Sequence, residues 1–562
     1  MFAQRSWNTF YADIDDAKIR AQIDAIVKPR GPNGVTLLSL GFASIGIDEG
    51  WEGCKLGVNG TVHYKNGTPT VDPKRFPDLA GLVRYGHSRG AKMGHYLNGC
   101  GCNEKVERRI NYEGDVKQVV AWGFDGVKID SCGAQKNMTL YYELFNQSGV
   151  PITIENCHQG QNITDGGDPG QMGPGWCPYN LFRTSGDIVN LWDRVMSNLM
   201  TAAPFLSPDK KHGGAHANTS QPVSRPGCWA YPDMLEVGRM PEHNDAESRS
   251  HFAAWAIVSA PLVLGFDLSD ETKMAAAWPI ISNEEVIAIS QTWVAGAAYP
   301  SGRLLKSWHA TNVPTFAVRG GCGHTGWCTD QNPRCREWAH EQQCIVNPGY
   351  MHTNCRKSCG LCEDGNFTNW SFADGMLRAG EDLCLDTQGQ LKGGHSGGNV
   401  LHALPCDASR GSQKWRFNRS IAADDTNACL QVYSTWLWDH AVVNTDHCQH
   451  SGAPPLNQQW TLFENGTLAN GQFGCVYISN KTGPPSTVWA KPLDRKGKMA
   501  VLAINGADLT QTISLDFAAL LGPAYKEAAA RDVWARTDLG QKSALTRDVP
   551  PHDCVLLVLS PA

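Results

Sequence analysis

No stretch of 18 apolar residues occurs in this chain, so no segment reads as a membrane-spanning helix. Basic runs are missing as well. The 49 Lys and Arg are scattered among 55 Asp and Glu, and a net charge of −6 gives no footing for nucleic acid. The cysteine pairs Cys359/Cys362 and Cys100/Cys102 lack the neighbouring His or second CxxC of a zinc site, so neither a metal nor an organic cofactor is expected. There is no His/Asp/Ser arrangement and no glycine-rich phosphate loop after a strand, which argues against acyl and phosphoryl transfer. The start, Met1-Phe2-Ala3-Gln4-Arg5, does not read as a signal peptide.

What is present points outside the cytosol. Twenty cysteines, densest between Cys322 and Cys362, are read as disulfides of an oxidising compartment. Eleven N-x-S/T sequons, among them Asn59, Asn137, Asn162, Asn218, Asn366 and Asn480, suit a secreted or lumenal glycoprotein. Export would then use a signal not visible in this chain. At 562 residues the chain exceeds one core, and about 150 residues per domain predicts three or four domains.

From residue 1 to about 292, short apolar runs alternate with helical patterns. The runs are Ser6 to Thr9, Ala43 to Ile47, Lys92 to Leu97, Gly126 to Asp130, Pro151 to Glu155, Phe182 to Ser185, Met234 to Val237 and Pro261 to Phe266. That is the rhythm of a parallel (β/α)₈ barrel, an α/β fold. Polar residues follow the runs: Asp48-Glu49-Gly50-Trp51, Asn98, Asp130, His158 and Asp187. In a barrel they share one bowl. Asp130, at a strand end after the helix-closing Gly123, reads by itself as either a helix cap or a catalytic acid. Several carboxylates with Lys128, Arg183 and aromatics favour glycoside chemistry, which needs two carboxylates from different strands. Asp130 and Asp187 are the best placed pair. Lys128, on the same strand face as Asp130, would hold it ionised or form a structural ion pair; Arg183 would bind substrate or pin a loop.

The motifs Ser6-Trp7-Asn8-Thr9-Phe10, Asp48-Glu49-Gly50-Trp51, Lys128-Ile129-Asp130-Ser131-Cys132, Arg183-Thr184-Ser185-Gly186-Asp187-Ile188, Pro232-Asp233-Met234-Leu235 and Ser259-Ala260-Pro261-Leu262 follow in order. Together they resemble the retaining α-galactosidases and α-N-acetylgalactosaminidases of glycoside hydrolase family 27. The resemblance implies Asp130 as nucleophile and Asp187 as general acid/base, with their carboxyl groups ~5 to 5.5 Å apart. It implies a substrate shell of Trp7, Phe10, Asp48, Glu49, Tyr96, Lys128, His158, Arg183 and Asp233. It also implies disulfides from Cys132 to Cys100 or Cys102 and from Cys157 to Cys177.

Departures from the family pattern fall in that shell. Phe10 replaces a second Trp, Glu49 replaces an Asp, Cys157-His158-Gln159-Gly160 replaces a Glu-Trp pair, and Trp229-Ala230-Tyr231-Pro232-Asp233 replaces Trp-Asn-Asp-Pro-Asp. A hydroxyl site that loses its partner shifts preference by orders of magnitude, so the sugar is less constrained than the reaction.

Beyond the barrel (1–292), Cys328, Cys335, Cys344, Cys355, Cys359 and Cys362 form a framework too short for its own core. This segment (322–364) resembles the ShK toxin-like domain, whose connectivity would pair Cys328 with Cys362, Cys335 with Cys355 and Cys344 with Cys359. Residues 366–483 carry a repeat. Cys384-Leu385-Asp386 leads to Cys406 and Gln413-Lys414-Trp415, then Cys429-Leu430-Gln431 leads to Cys448 and Gln458-Gln459-Trp460. It is similar to ricin B-type β-trefoil lectins, with Asp386 at their sugar-binding position. A third repeat begins at Cys475 without its Gln-x-Trp. Residues 293–320 plus 484–562 resemble the C-terminal antiparallel β-sandwich of the galactosidases, so both small modules read as insertions into it.

The sequence thus predicts a retaining exo-glycosidase acting on terminal α-D-galactosyl residues of an oligosaccharide or glycoconjugate, with a possible glycan ligand at the lectin-like module. Rival readings are an α-N-acetylgalactosaminidase, a β-L-arabinopyranosidase, and a carbohydrate-binding protein with an inactive barrel.

Overall fold

The computed structural model describes residues 4–562 except 105, 158–176, 207–221, 241–244, 298, 320–331, 341–354, 356–357, 359–369, 381, 388–398, 419, 425–427, 434–440, 449–457, 463–467, 471–473 and 508–509. Two units separate. One comprises Met1–Ser307, Ser486–Asn505 and Leu509–Ala562, the other Trp308–Pro485 with Gly506–Asp508.

The first unit is built on seven parallel strands in chain order: β1 (Gln4–Arg5), β2 (Ser44–Gly46), β3 (Lys92–Gly99), β4 (Gly126–Gly133), β5 (Thr153–Cys157), β6 (Leu181–Arg183) and β7 (Trp229–Tyr231). Single parallel bridges join Leu264 to Gln4 on one side and to Leu235 on the other, so the two ends of the sheet are tied through that residue. This is sheet architecture of the TIM-barrel type. Two predicted strands fall elsewhere. The first is Gln4–Arg5, while Trp7–Phe10 is a short helix, α1. The seventh is Trp229–Tyr231, and Met234–Val237 contributes only the Leu235 bridge.

Outer helices alternate with these strands: α2 (Asp16–Val27), α3 (Leu79–Ser88), α4 (Arg109–Trp122), α5 (Met138–Ser148), α6 (Trp192–Ala202), α7 (Asp245–Ile257), α8 (Glu271–Ile281) and α9 (Glu284–Gln291). Their ends are written in the sequence. Asp15, Asp78, Asn137, Asp270 and Asn283 cap N-termini through side-chain oxygens, and Gly123 at φ 86° ends α4 by donating to Val119 and Val120 carbonyls.

The C-terminal part of this unit is antiparallel, with Met499–Ile504 between Thr487–Pro492 and Cys554–Leu559. It is fastened to the barrel helices by charge. Lys491, fully buried, donates to the carbonyls of Ala256 (3.4 Å), Ile289 and Ser290 (3.2 Å), and burial lowers its pKa to about 7. Arg531 grips Glu285, and Arg249 grips Asp553.

In the second unit, Cys384–Cys406 and Cys429–Cys448 close local loops, and Cys335 is bonded to Cys355. Cys328, Cys344, Cys359 and Cys362 lie outside the described residues. The indole of Trp415 donates to Leu385 O (3.0 Å) and that of Trp460 to Leu430 O (2.7 Å). The third repeat is completed by a residue the sequence reading passed over. Trp370, upstream of the first repeat, donates to Val476 O (2.9 Å), beside Cys475. Buried Trp370, Trp415 and Trp460 share one core with Leu385, Leu430 and Val476.

At the rim, Cys54–Cys102 and Cys100–Cys132 staple the segments after β2, β3 and β4. Beneath them His63 stands between Glu104 (Nδ1 to Oε2, 3.0 Å) and Asp115 (Nε2 to Oδ1, 3.0 Å), all three buried. Two carboxylates can both accept from one ring only if it is imidazolium. Burial opposes that charge, yet Asp115 and then Glu104 outweigh it and raise the pKa. A raised folded-state pKa stabilises fully below the unfolded value of about 6.5 and is lost as pH climbs through the folded one. His63→Gln is therefore expected to lower the melting temperature most at acid pH, by an amount corresponding to about 3 kcal/mol. The deficit should shrink above about pH 6.5. A deficit that grows with pH in thermal melts would contradict the clamp.

Candidate active site

Side chains at i and i+2 of a strand share a face. On β4 this turns Lys128 and Asp130 the same way, and on β5 Glu155 and Cys157. At the C-terminal ends of the strands lies a cavity of about 380 Å³, lined by Trp7, Asp48, Glu49, Tyr96, Lys128, Asp130, Cys157, Arg183, Asp187, Asp233 and Met234. The geometry joins nearly all the residues singled out above. Asp130 from β4 and Asp187 from the segment after β6 reach one space.

Three buried cations organise the carboxylates. Lys128 Nζ donates to Asp48 Oδ2 at 2.9 Å, a partner two residues past β2 that the sequence did not pair with it. Burial disfavours the ammonium, but Asp48 together with the other anionic groups around it outweighs that and the pKa rises. Asp130 Oδ2 accepts the Tyr96 hydroxyl at 2.5 Å, and Tyr96 OH in turn accepts from Asn98 Nδ2 at 3.2 Å. Arg183 Nη2 lies 3.1 Å from Asp187 Oδ1 and 3.0 Å from Asp233 Oδ2. Burial alone would raise the Asp187 pKa; Arg183 and then Lys128 overcome it, and the net shift is downward. Arg5, one layer below, pairs with Glu155 and stands 4.0 Å from Asp48 Oδ2.

Backbone contacts set the rest. Asp48 N–H donates to Ser6 Oγ (2.9 Å), and Trp51 Nε1 donates to Tyr96 O (3.0 Å). Asp233, a non-glycine residue at φ 84°, accepts Ile188 N–H on its carboxylate (2.8 Å) and Trp255 Nε1 on its carbonyl (2.6 Å). Left-handed backbone at such a residue persists only where its surroundings enforce it, and here they fix the Asp187 segment. Glu49 is half-buried beside Asp48; burial, then Asp48 and Asp130, raise its pKa.

Two readings change. Cys157 is a buried free thiol accepting from Arg183 Nη1 at 3.3 Å, while Cys177 bonds Cys228. The reason is position. Cys157 ends β5, whereas Cys177 and Cys228 precede β6 and β7, at the opposite end of the sheet, so the expected Cys157–Cys177 bond does not form. Phe10 packs partly buried against the core and does not line the cavity. His158 lies outside the described residues. Asp386 belongs to the second unit, where its buried carboxylate accepts from Gln413 Nε2 at 2.9 Å. The sequence reading missed Arg5, Glu155 and Met234. Period-two alternation would have flagged Glu155, two before Cys157, and the register of β1 with Gly46 would have flagged Arg5.

Residues 36–292 match the family model described as alpha galactosidase A, residues 483–559 that of the alpha galactosidase C-terminal beta sandwich domain, and residues 327–362 a ShK domain-like model. The chain is 32% identical over 319 residues to an α-galactosidase of Oryza sativa subsp. japonica, covering 54% of this chain and 66% of that one. It is 31% identical over 392 residues to a probable α-galactosidase of Dictyostelium discoideum, covering 66% of this chain and 88% of that one. Among solved structures, the α-galactosidase of Saccharomyces cerevisiae with raffinose aligns at a TM-score of 0.56 and 14% identity, covering 100% of this chain and 97% of that one. A GH27 β-L-arabinopyranosidase variant of Geobacillus stearothermophilus in complex with arabinose aligns at 0.54 and 14%, with the same coverage. At such identity these two likenesses concern the fold. The extent of the match to the Dictyostelium relative, together with the family models, establishes that this chain belongs to the α-galactosidase family, glycoside hydrolase family 27.

Proposed function

We propose that the protein is a retaining exo-α-galactosidase, and the observation that carries this reading is that Asp130 of β4 and Asp187 of the segment after β6 line one cavity. Asp130 attacks the anomeric carbon while Asp187 protonates the departing oxygen; Asp187 then takes a proton from the water that hydrolyses the glycosyl ester. Tyr96 holds the Asp130 oxygen in place, and Asp48 with Lys128 presents an acceptor and a donor to the hydroxyls at the closed end of the ring. In the free protein Arg183 favours ionised Asp187. A sugar hydroxyl that engages Arg183 weakens that hold and returns proton affinity to the acid.

A second reading rests on Glu49. One methylene longer than the aspartate of the family pattern, it stands beside Asp48 at the cavity wall and narrows the space for a hydroxymethyl group. That favours β-L-arabinopyranose, which is galactose without this group. An N-acetylgalactosaminide reading has no comparable support, because His158 is outside the described residues. For the second unit, the three indole-to-carbonyl bonds and the Gln413–Asp386 contact support a lectin-like module that tethers the enzyme to glycan. Disulfides among the described residues support a secreted or lumenal site of action.

On p-nitrophenyl α-galactoside, Asp130→Asn and Asp187→Asn are each expected to lower kcat by about 10³-fold or more. Proton NMR of the wild-type reaction should show the α-anomer of galactose first. Inversion at that carbon, or no turnover of α-galactoside, α-N-acetylgalactosaminide and β-L-arabinopyranoside alike, would sink the reading. Glu49→Asp should raise kcat/KM for the galactoside relative to the arabinopyranoside by about tenfold, the value of roughly one relieved methylene clash; an unchanged ratio removes Glu49 from selection. Arg183→Gln lifts the hold on Asp187, so the alkaline limb of the kcat/KM profile should move to higher pH while its maximum falls about 10²-fold. A limb that stays in place assigns it to another group.

A further inference from the structure

We propose that Asn66 is an N-glycosylation site whose first sugar stacks on the ring of Tyr64. Residues 62–70 form a hairpin: Thr70 N–H donates to Val62 O (2.7 Å), His63 bridges Pro69, and Tyr64 N–H donates to Thr68 O (2.9 Å). At its tip is Tyr64-Lys65-Asn66-Gly67-Thr68. Gly67 N–H donates to Tyr64 O (2.9 Å) and Gly67 has φ 79°, the type I turn with a left-handed bulge that closes short hairpins. Asn66 Oδ1 accepts Thr68 N–H at 3.1 Å, which orients the side chain and leaves Nδ2 as its reactive group.

Two observations separate this sequon from the others at described residues. Gly67 cannot be another residue, because besides its φ a Cβ would come within 1.9 Å of Ile110 O, so the turn is enforced by packing against α4. Tyr64 is 48% exposed, a large ring the core does not use, and Asn66 is exposed beside it. Flanking strand positions of such a turn place residue 64 against residue 68 with 66 between them. A sugar on Asn66 therefore lies over the Tyr64 ring, and the C–H face of N-acetylglucosamine is the apolar partner a flat aromatic accepts. At the sequons of Asn59, Asn137, Asn146, Asn418 and Asn480, the residue two before the asparagine is Gly57, Gln135, Leu144, Arg416 or Ile478, none aromatic. Asn137 is moreover committed to capping α5. The residue order of the hairpin tip recurs as Phe463-Glu464-Asn465-Gly466-Thr467, outside the described residues.

The donor is a lipid-linked diphospho-oligosaccharide. A bond forms from Asn66 Nδ2 to the anomeric carbon, the bond from that carbon to the diphosphate oxygen breaks, the amide loses one proton, and the lipid diphosphate leaves. The sugar then covers a hairpin whose base carries His63, so it restrains the clamp of Glu104 and Asp115 from outside.

The test is expression through the secretory pathway of a yeast, trimming to one N-acetylglucosamine per site, and peptide mass spectrometry for occupancy. Hydrogen exchange over residues 58–71 is then compared for wild type, Asn66→Gln, Tyr64→Ser and the double variant, with exchange in α2 as the check on folding. Asn66 is expected to be occupied, and the sugar to slow exchange about threefold where the Tyr64 ring is present but not in the Tyr64→Ser background. An unoccupied Asn66, or equal protection by the sugar with and without the ring, would overturn the assignment.

Discussion

The contact on which the site depends is the buried ion pair of Lys128 with Asp48. A bowl that gathers Asp48, Glu49, Asp130, Asp187 and Asp233 concentrates negative charge where water is partly excluded, and an unpaired buried carboxylate costs several kcal/mol. The chain meets this with three cations on alternate supports: Arg5 on β1, Lys128 on β4 and Arg183 at the end of β6. Each faces at least one acid, and each is nearly inaccessible. The direct bond of Lys128 to Asp48 draws that ammonium to the Asp48 side of the cavity, while Asp130 takes a neutral hydroxyl from Tyr96. A phenol draws less electron density from a carboxylate than an ammonium ion does, so in the proposed mechanism Asp130 keeps more of it for attack.

That charge pattern works only on a rigid rim. The acids stand on the ends of short strands and on loops, so their separation is set by what grips those loops. Two disulfides and the His63 clamp fix the segments after β2, β3 and β4, while Asp233 fixes the segment carrying Asp187. Farther out, Lys491 closes the C-terminal carbonyls of α7 and α9, a use of the buried ammonium for which helix ends supply the acceptors. Braces at this distance do not touch substrate, yet displacement of about 1 Å at a carboxylate is enough to erode catalysis substantially.

Much of this was legible because barrel strands repeat a local rule. Alternation placed Lys128 with Asp130, and the Gly123 signal placed the start of β4, so the position of the nucleophile candidate at a strand end followed from pattern. What was not legible depends on which strand ends meet across the sheet. Cys157 and Cys177 look adjacent in a list of cysteines, but one crowns β5 and the other precedes β6, and no spacing rule distinguishes top from bottom. His63 gave no sequence signal because its two carboxylates come from 41 and 52 positions away. Trp370 was overlooked for the opposite reason. A repeat scanned from its first Cys ends before its third Trp, whereas the fold supplies that Trp from the residues ahead of the first repeat.

Tyr231 shows why altered motif positions must be weighed with their neighbours. Where the family pattern carries an aspartate, this chain places a fully buried phenol, which brings no charge, beside Arg5, Glu155, Asp233 and Arg183. An aspartate there would have been a natural counter-ion for a buried arginine. In this chain the anion facing Arg5 comes from β5, as Glu155. The departure at residue 231 therefore sits within a charge arrangement that Arg5 and Glu155 complete beneath the proposed catalytic pair. Because Arg5 also lies 4.0 Å from Asp48, that charge arrangement reaches the Asp48 side of the cavity through an ion pair.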